Sequence, residues 1–192
     1  MQETNELQEY LRKEKAKITL PFVVALVGVL IAVIALLLPY MTAVGDLAEY
    51  IEKYPDVILE ETVGLTTSDF ANVSMISVRN LVASVYGKDN GSFVAGIVIV
   101  FGIFLALTAL FVVLKKPIGA MIFSLPAYGV FFVLNSLMKE FHIAADKYAW
   151  GIGYYAMTIS IIAIFVGAVW MLVTKIMIKR QAKKAMMASL IE

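Results

Sequence analysis

The sequence contains no cysteine and a single histidine, His142, among its 192 residues. Without cysteine, the chain cannot form disulfides, thiolate metal sites or thiol redox centres, and it cannot be lipidated through sulfur. A metal site would have to combine His142 with carboxylates such as Glu140 and Asp146, and one histidine is a weak signal for such a site. We therefore interpret His142 as a solvated loop residue, and we expect no metal and no cofactor.

Charged residues are also scarce. They make up 16% of the chain and hydrophobic residues 61%, whereas about a quarter of a soluble domain is charged. The apolar residues are concentrated in four uncharged runs, residues 18–40, 93–114, 117–138 and 151–174. A transmembrane helix needs about 20 such residues, and the first run is too long for the ~7–15-residue apolar region of a cleaved signal peptide. The sequence predicts an all-α fold, an integral membrane four-helix bundle, and disfavours the alternative of buried helices in a soluble protein.

The absence of charge inside the spans excludes several mechanisms. Ion-coupled transporters, proton relays and voltage sensors usually have an ionisable residue within the membrane, and none lies within the four runs. The chain has no glycine-rich phosphate-binding loop, and no nucleophile is paired with a base at membrane depth. We therefore do not expect an enzyme.

The distribution of Lys and Arg predicts the orientation of the spans. Eleven of these residues lie in the N-terminal segment, residues 1–17, in the Lys115–Lys116 link and in the C-terminal tail, residues 175–192. Five lie on the alternate side, in the long loop of residues 41–92 and in the connection of residues 139–150. Because basic flanks remain in the cytoplasm, both termini are predicted to be cytoplasmic, in the plasma membrane of a bacterium. The tail is interpreted as a basic anchor at the anionic inner leaflet, with contact to a partner helix as the alternative.

Each span carries one stripe of small residues at spacings of three and four. Such stripes allow helices to approach closely in a membrane, where the hydrophobic effect does not drive helices together. The spacing is that of a left-handed bundle. We interpret the stripes as intramolecular packing surfaces, with a homo-oligomer or a partner helix as the alternative. Their members are, in chain order, Ala25, Gly28, Ala32 and Ala35; Gly102, Ala106 and Ala109; Ala120, Ser124 and Ala127; and Gly153, Ala156, Ser160, Ala163 and Gly167.

The loop of residues 41–92 contains eight acidic and three basic residues, which gives it a net charge of −5. Two short amphipathic helices are predicted in it. The first begins near Asp46, which is followed by a glutamate at capping-box spacing, and ends before Pro55. The second begins at Thr67 or the next residue, because apolar residues then recur at spacings of four and three as far as Val85. We expect these helices, rather than a β-sheet, to lie over the outer end of the bundle.

Two polar residues of the third span, Tyr128 and Asn135, lie seven residues apart on one helical face. They are candidates for a small intramembrane polar pocket, with hydrogen bonding between helices as the alternative. Pro126 in the same span is expected to kink the helix, because proline cannot donate the backbone hydrogen bond of a helix interior.

In topology the chain resembles the claudin-type tetraspans, which have four spans, cytoplasmic termini and a long first outer loop. The tryptophan and the cysteine pair that mark the claudin loop have no counterpart between Met41 and Ser92, and the claudin loop is a β-sheet. The chain also looks like small uncharacterised bacterial four-span membrane proteins, chiefly in its spans and around Gly151-Ile152-Gly153-Tyr154-Tyr155. Neither resemblance implies an activity or a functional residue.

These observations favour a non-enzymatic membrane subunit, scaffold or adaptor that binds another protein through its outer loop or its basic tail. The alternative is a transport or channel component for a small or amphiphilic solute, which would use Tyr128, Asn135 and the kink at Pro126. The expected partners are the lipid bilayer and either another membrane protein or a second copy of the chain. No nucleic-acid partner is expected.

Overall fold

The computed structural model describes residues 2–60, 65–144 and 147–188. Within these ranges the chain is mostly helical, and short strands form one three-stranded and one two-stranded antiparallel sheet. A short 3-10 turn, Thr67–Phe70, separates β3 from β4. The elements are, in order, α1 (Gln2–Ala35), β1 (Pro39–Ala43), α2 (Gly45–Lys53), β2 (Ile58–Glu60), β3 (Leu65–Thr66), β4 (Asn72–Ser74), α3 (Val78–Tyr86), α4 (Lys88–Val113), α5 (Pro117–Glu140), β5 (Tyr148–Trp150) and α6 (Ile152–Ala188).

Four helices are long and apolar enough to cross a membrane, in agreement with the four predicted spans. The qualifying segments are Lys17–Ala35 of α1, Lys88–Val113 of α4, Pro117–Glu140 of α5 and Ile152–Gln181 of α6. Large apolar residues such as Leu30, Ile99 and Ile159 remain exposed on the outside of these helices. A helix that is apolar all round fits a lipid environment, because lipid tails cover the faces that the protein does not.

The long helices associate in pairs. α1 lies along α6, α4 along α5, and α5 joins the two pairs by contacting α6. The Lys115–Lys116 link between α4 and α5 is so short that these helices form an antiparallel hairpin. We call the end of the bundle that carries this link the link end, and the opposite end, which carries β1, β4 and β5, the sheet end.

Contacts at the link end connect three helices. Lys115 has a positive φ of 54°, which turns the chain from α4 into α5. The Lys115 carbonyl accepts a hydrogen bond from the Nζ of Lys175 in α6. The Lys115 ammonium lies 4.8 Å from the centre of the Phe22 ring in α1, within the range of a cation–π contact.

The boundaries of the first two spans differ from the predicted ones. The helix α1 ends at Ala35 rather than at residue 40, because Pro39 and Tyr40 belong to the strand β1. The helix α4 begins at Lys88 rather than at residue 93. The turn that precedes it is confined to Gly87, whose φ of 90° favours glycine. The apolar runs predict where a helix can cross a membrane, but they do not show where its last turn becomes a strand.

The prediction that the loop of residues 41–92 contains helices rather than a β-sheet is wrong. The strand β1 is the centre of a three-stranded antiparallel sheet, with Met41 opposite Val73 of β4 on one side and Trp150 of β5 on the other. The predicted second helix is therefore interrupted, and only its last part, α3, is helical. β-Branched residues and serines have weak helix propensity, so pairing with β1 outweighs the helical apolar spacing of this segment.

The first predicted loop helix is confirmed as α2, and α3 is amphipathic as expected. In α3, Val78, Leu81 and Val82 are buried, and this helix packs on α4. The outer loop therefore combines helices with a sheet, and the sheet joins it to the connection between α5 and α6.

Candidate functional site at the sheet end

A cavity of about 320 Å³ lies at the sheet end between α2, α3 and the connection from α5 to β5. The spacing of four residues in α2 places Leu47 and Ile51 on the same helical face, and both face the cavity. The wall is mainly aliphatic and aromatic. The lining residues are Leu47, Tyr50, Ile51, Thr67, Phe70, Leu81, Ser84, Val85, Tyr86, His142, Ile143, Lys147 and Tyr148.

Four of the five described hydroxyl groups that line the cavity, all except that of Tyr50, donate hydrogen bonds to backbone carbonyls. The Ser84 hydroxyl donates to Leu81 at 2.8 Å, and the Tyr148 hydroxyl donates to Phe70 at 2.9 Å. The hydroxyls of Thr67 and Tyr86 donate to the carbonyls of Tyr54 and Phe141. Because each hydroxyl has one proton to donate, these groups offer a ligand no free donor.

Among the described lining residues, Lys147 is the only lysine or arginine, and none is Asp or Glu. His142 is exposed and lines the same side of the cavity, as part of the same connection. Its φ of 52° belongs to the left-handed turn that follows α5. Sequence reasoning treated His142 as a solvated loop residue and did not place it beside a cavity. Asp146, which the sequence made a possible metal ligand, lies outside the described residues.

The buried hydroxyl of Tyr148 provides a pH-dependent test of this site. Burial raises the pKa of Tyr148 to about 12, whereas an unfolded tyrosine has a pKa of about 10. Between pH 10 and 12 the unfolded chain therefore releases this proton while the folded chain keeps it, so stability falls as pH rises. Tyr148→Phe should reduce that fall. It should also cost about 1–3 kcal/mol at pH 7, because the Phe70 carbonyl loses its buried donor.

Thermal unfolding at pH 7, 10 and 12 in one detergent measures both effects. Tyr155→Phe is the matched control, because the ring of Tyr155 is exposed. A Tyr148→Phe protein with the same stability as the control at pH 7 would contradict the role of the Phe70 hydrogen bond.

Beside the cavity, an aromatic cluster surrounds the fully buried Tyr40 of β1. The Tyr40 ring contacts Trp150 edge-on at 5.4 Å and Phe131 of α5 at 6.3 Å between ring centres. The Tyr40 hydroxyl donates a hydrogen bond to the side-chain oxygen of Asn135. The cluster therefore joins the sheet to α5, and Asn135 is its polar contact on that helix.

The structure gives the two candidate residues of the third span different surroundings. Asn135 is half-buried and bonded to Tyr40. Tyr128 is 49% exposed and lies in an apolar groove between α5 and α6 that Asn135 does not line. The two residues share a helix but are not brought together around one cavity among the described residues.

Two of the small-residue stripes lie in one interface. Ala25, Gly28, Ala32 and Ala35 of α1 are buried, as are Gly153, Ser160 and Gly167 of α6, whereas Ala156 and Ala163 are half-buried. A Cβ added at Gly28 would lie 3.0 Å from the Ser160 carbonyl oxygen. A glycine therefore suits this position, where the backbones of the two helices approach each other closely.

The stripes on the other two helices have different environments. On α5, Ala120, Ser124 and Ala127 are buried. On α4, Ala106 is exposed, Gly102 and Ala109 are half-buried, and a Cβ added at Gly102 would meet nothing within 4 Å. The buried face of α4 is instead formed by larger residues: Val94, Phe101, Leu105, Thr108 and Val112. The spacing of small residues alone does not distinguish the buried stripe of α5 from the partly exposed stripe of α4. Which face of a helix is buried also depends on the side-chain volume needed to fill the space between helices.

Sequence reasoning missed the cavity and the sheet that supports it. Two segments carried a signal: Tyr40-Met41-Thr42 and Tyr148-Ala149-Trp150 are short and rich in aromatic and β-branched residues, as strands are. Their Tyr and Trp residues are equally typical of the membrane interface, where aromatic residues are also common.

No family model, no curated protein and no solved structure matches the chain. Among the described residues, no group of three or more His, Asp or Glu side chains is placed to hold a metal ion. We therefore infer the function from the chemistry of the site itself.

Proposed function

We propose that the chain is a multi-pass protein of the bacterial cytoplasmic membrane, with both termini in the cytoplasm and the sheet end outside. The four apolar helices support the membrane assignment. The excess of Lys and Arg at the link end and in the tail supports the orientation. Trp150, Tyr154 and Tyr155 lie at the sheet end, where interfacial aromatic residues anchor spans at the membrane surface.

The function that we propose is non-enzymatic: a subunit, scaffold or adaptor that binds another protein through α2. The supporting observation is that the apolar face of α2 is only half covered. Ile51 on this face is buried, but Tyr50 is 47% and Tyr54 43% exposed. Their rings contact each other at 5.2 Å, which restricts both side chains before binding. Tyrosines of this kind are enriched among the residues that dominate binding at protein interfaces.

The exposed apolar surface continues beyond α2 and has an acidic border. Val57 is 40% and Ile58 60% exposed. The same segment carries the exposed Glu49, Glu52 and Asp56 against one lysine, Lys53, whose ammonium lies 5.4 Å from the centre of the Tyr54 ring. Contiguous apolar surface with a polar rim marks interaction sites on soluble parts of proteins. Because the rim is acidic, we infer a partner whose outer segment has an apolar side chain surrounded by basic residues.

The alternative of a transport or channel component has less support. Three of the four described buried hydroxyls of the spans, all except that of Thr174, bond to their own helices: Thr108 to Phe104 at 2.8 Å, Ser124 to Met121 at 3.2 Å and Ser160 to Met157 at 2.7 Å. A solute path through the bundle needs groups that can solvate the solute in place of water. These hydroxyls are already used, and Tyr128 faces an apolar groove.

The adaptor proposal predicts that Tyr54→Ser weakens the complex. A central interface tyrosine contributes about 2 kcal/mol or more, which corresponds to a roughly 30-fold increase in Kd. A photoreactive benzoylphenylalanine at Val57, in native membranes, should give a discrete crosslinked product. The yield of that product should fall at least tenfold in the Tyr54→Ser background.

Tyr155→Ser is the matched control, because Tyr155 is an exposed tyrosine on α6, outside the α2 surface. It should leave the crosslinking yield unchanged. A protein that purifies from mild detergent as a lone monomer, and gives no crosslinked product at Val57 in native membranes, would overturn the proposal.

A further inference from the structure

We propose that the cavity at the sheet end binds a single-chain anionic amphiphile, of which a fatty carboxylate is the simplest member. The apolar chain lies between α2, α3 and the turn after α5, and the carboxylate lies beside Lys147. This inference goes beyond the proposed adaptor function, because Tyr54, the residue that tests partner binding, does not line the cavity.

The position of the cavity suits a ligand that comes from the membrane surface. Tyr86 ends α3 immediately before α4 begins, and His142 follows closely after the end of α5. The Tyr86 ring stacks on Phe141 at 4.8 Å, and its hydroxyl bonds to the Phe141 carbonyl. These residues therefore hold the cavity at the level where two apolar helices end. That level is where an amphiphile passes from the hydrocarbon region to water.

The wall of the cavity selects for an apolar body. Of the five described hydroxyls in the wall, those of Thr67, Ser84, Tyr86 and Tyr148 already donate to backbone carbonyls, and only that of Tyr50, at the exposed edge, has no such bond. A polar ligand body would lose its hydrogen bonds to water without receiving equivalent donors, which costs free energy. An alkyl chain has no hydrogen bonds to water to lose, and its burial against Leu47, Phe70 and Val85 is favourable in free energy.

The volume of the cavity limits the number of chains. At about 320 Å³, it lies at the lower end of the ~300–1,000 Å³ found for small-molecule sites. A single alkyl chain suits that volume better than the two chains of a phospholipid. The cavity is therefore expected to select single-chain amphiphiles from the surrounding two-chain lipids.

The charge of the wall selects for an anionic head group. Lys147 is the one lysine or arginine among the described lining residues, and no Asp or Glu is among them. An ammonium and a carboxylate form a charge-assisted hydrogen bond, which is stronger than a bond between neutral groups. Binding therefore requires both the alkyl chain and the contact with Lys147.

Photolabelling tests this site on the full chain in phosphatidylcholine nanodiscs. A palmitic acid that carries a diazirine is the probe, and labelled peptides are identified by mass spectrometry. We expect labelling of residues 84–86 and of the described residues 141–144 and 147–148 that excess dodecanoate suppresses. Dodecanol, with the same chain and no charge, should compete at least tenfold less well. Labelling of the lipid-facing side of α6 serves as the internal reference.

Three variants separate the head-group contact from the chain contact. Lys147→Met should reduce labelling of these two segments about tenfold relative to the reference. Lys139→Met should not, because Lys139 is exposed at the end of α5 and does not line the cavity. Val85→Trp, which fills the mouth of the cavity, should abolish their labelling. The Tyr54-dependent crosslink shows that each variant is still folded and reports separately on the adaptor function.

Two results would overturn the inference. Labelling confined to lipid-facing surfaces in the unmodified protein would exclude the site. Equal competition by dodecanol and dodecanoate, together with full labelling of Lys147→Met, would exclude the anionic head group. Stronger competition by a lysophosphatidylglycerol than by dodecanoate would support the class and assign its head group as a phosphate.

Discussion

Gly167→Val is expected to lower the free energy of unfolding by about 3 kcal/mol, at the upper end of the cost of overpacking a core. A Cβ added at Gly167 would lie 2.7 Å from the backbone nitrogen of Ala25 and 2.9 Å from the carbonyl oxygen of Pro21. These are backbone atoms, so no side-chain rotation relieves the contact, and α1 must move away from α6. Because α1 and α6 form one of the helix pairs of the bundle, that movement loosens the whole interface.

Equilibrium unfolding in bicelles, compared with the unmodified protein, measures this effect. Gly102→Val is the matched control, since a Cβ added at Gly102 meets nothing within 4 Å. The control should change stability by no more than about 0.5 kcal/mol, as is usual for a substitution that disturbs no packed neighbour. Equal losses of stability in the two variants would show that the effect comes from replacing any helical glycine by valine and not from the contact between α1 and α6.

Tyr40→Ala is expected to cost about 3–5 kcal/mol, the usual range for deleting a large buried aromatic side chain. Tyr40 is fully buried. Its ring contacts Trp150 and Phe131, and its hydroxyl bonds to Asn135. The substitution therefore leaves a cavity at the centre of the sheet end and removes the contact between β1 and α5. Tyr40→Phe keeps the ring and should cost only about 1 kcal/mol.

Tyr128→Ala is the control for this series, because Tyr128 is half exposed in an apolar groove. It should cost less than half as much as Tyr40→Ala in the same unfolding assay. A double-mutant cycle between Tyr40→Phe and Asn135→Ala isolates the hydrogen bond, and a coupling of about 0.5–1.5 kcal/mol is expected. Additive effects of these two substitutions would contradict the hydrogen bond between Tyr40 and Asn135.

Gly167 and Tyr40 belong to the two sets of contacts that hold the sheet end in place. The α1–α6 interface fixes the helices that carry β1 and β5 at their ends. The Tyr40 cluster then fixes this sheet on α5, and α2 follows β1 directly. A loosened cluster should therefore also reduce the Tyr54-dependent crosslink. Tyr40 itself is fully buried and offers no surface to a partner.

Much of the helical architecture could be predicted from the sequence. Apolar runs predict spans because their length matches the membrane thickness, and the charge of their flanks predicts an orientation. The Lys115–Lys116 link predicts the α4–α5 hairpin, since two residues permit only an antiparallel return. The apolar face of α2 was also visible from the spacing of Leu47 and Ile51.

The candidate sites were less accessible to sequence reasoning. The exposed tyrosines of α2 and the cavity depend on which apolar faces are covered, and spacing does not show this. Ala71 and Met75 fit the apolar spacing of a helix, so the pattern did not reveal the strand β4 that lies between them. The stripe of Gly102, Ala106 and Ala109 looked like those of α1 and α6, yet it does not form the buried face of α4.

The sequence by itself determined what depends on neighbours within a few turns of one helix: four apolar spans, a tight link, basic ends and one amphipathic loop helix. Only the tertiary structure decided the sheet, because Thr42 finds its partners Asn72 and Ala149 far away along the chain. The same holds for the cavity, which closes only when α2, α3 and the connection after α5 meet. Strand pairing and cavity walls are long-range contacts, and their free energy is gained only once the helices have brought these segments together.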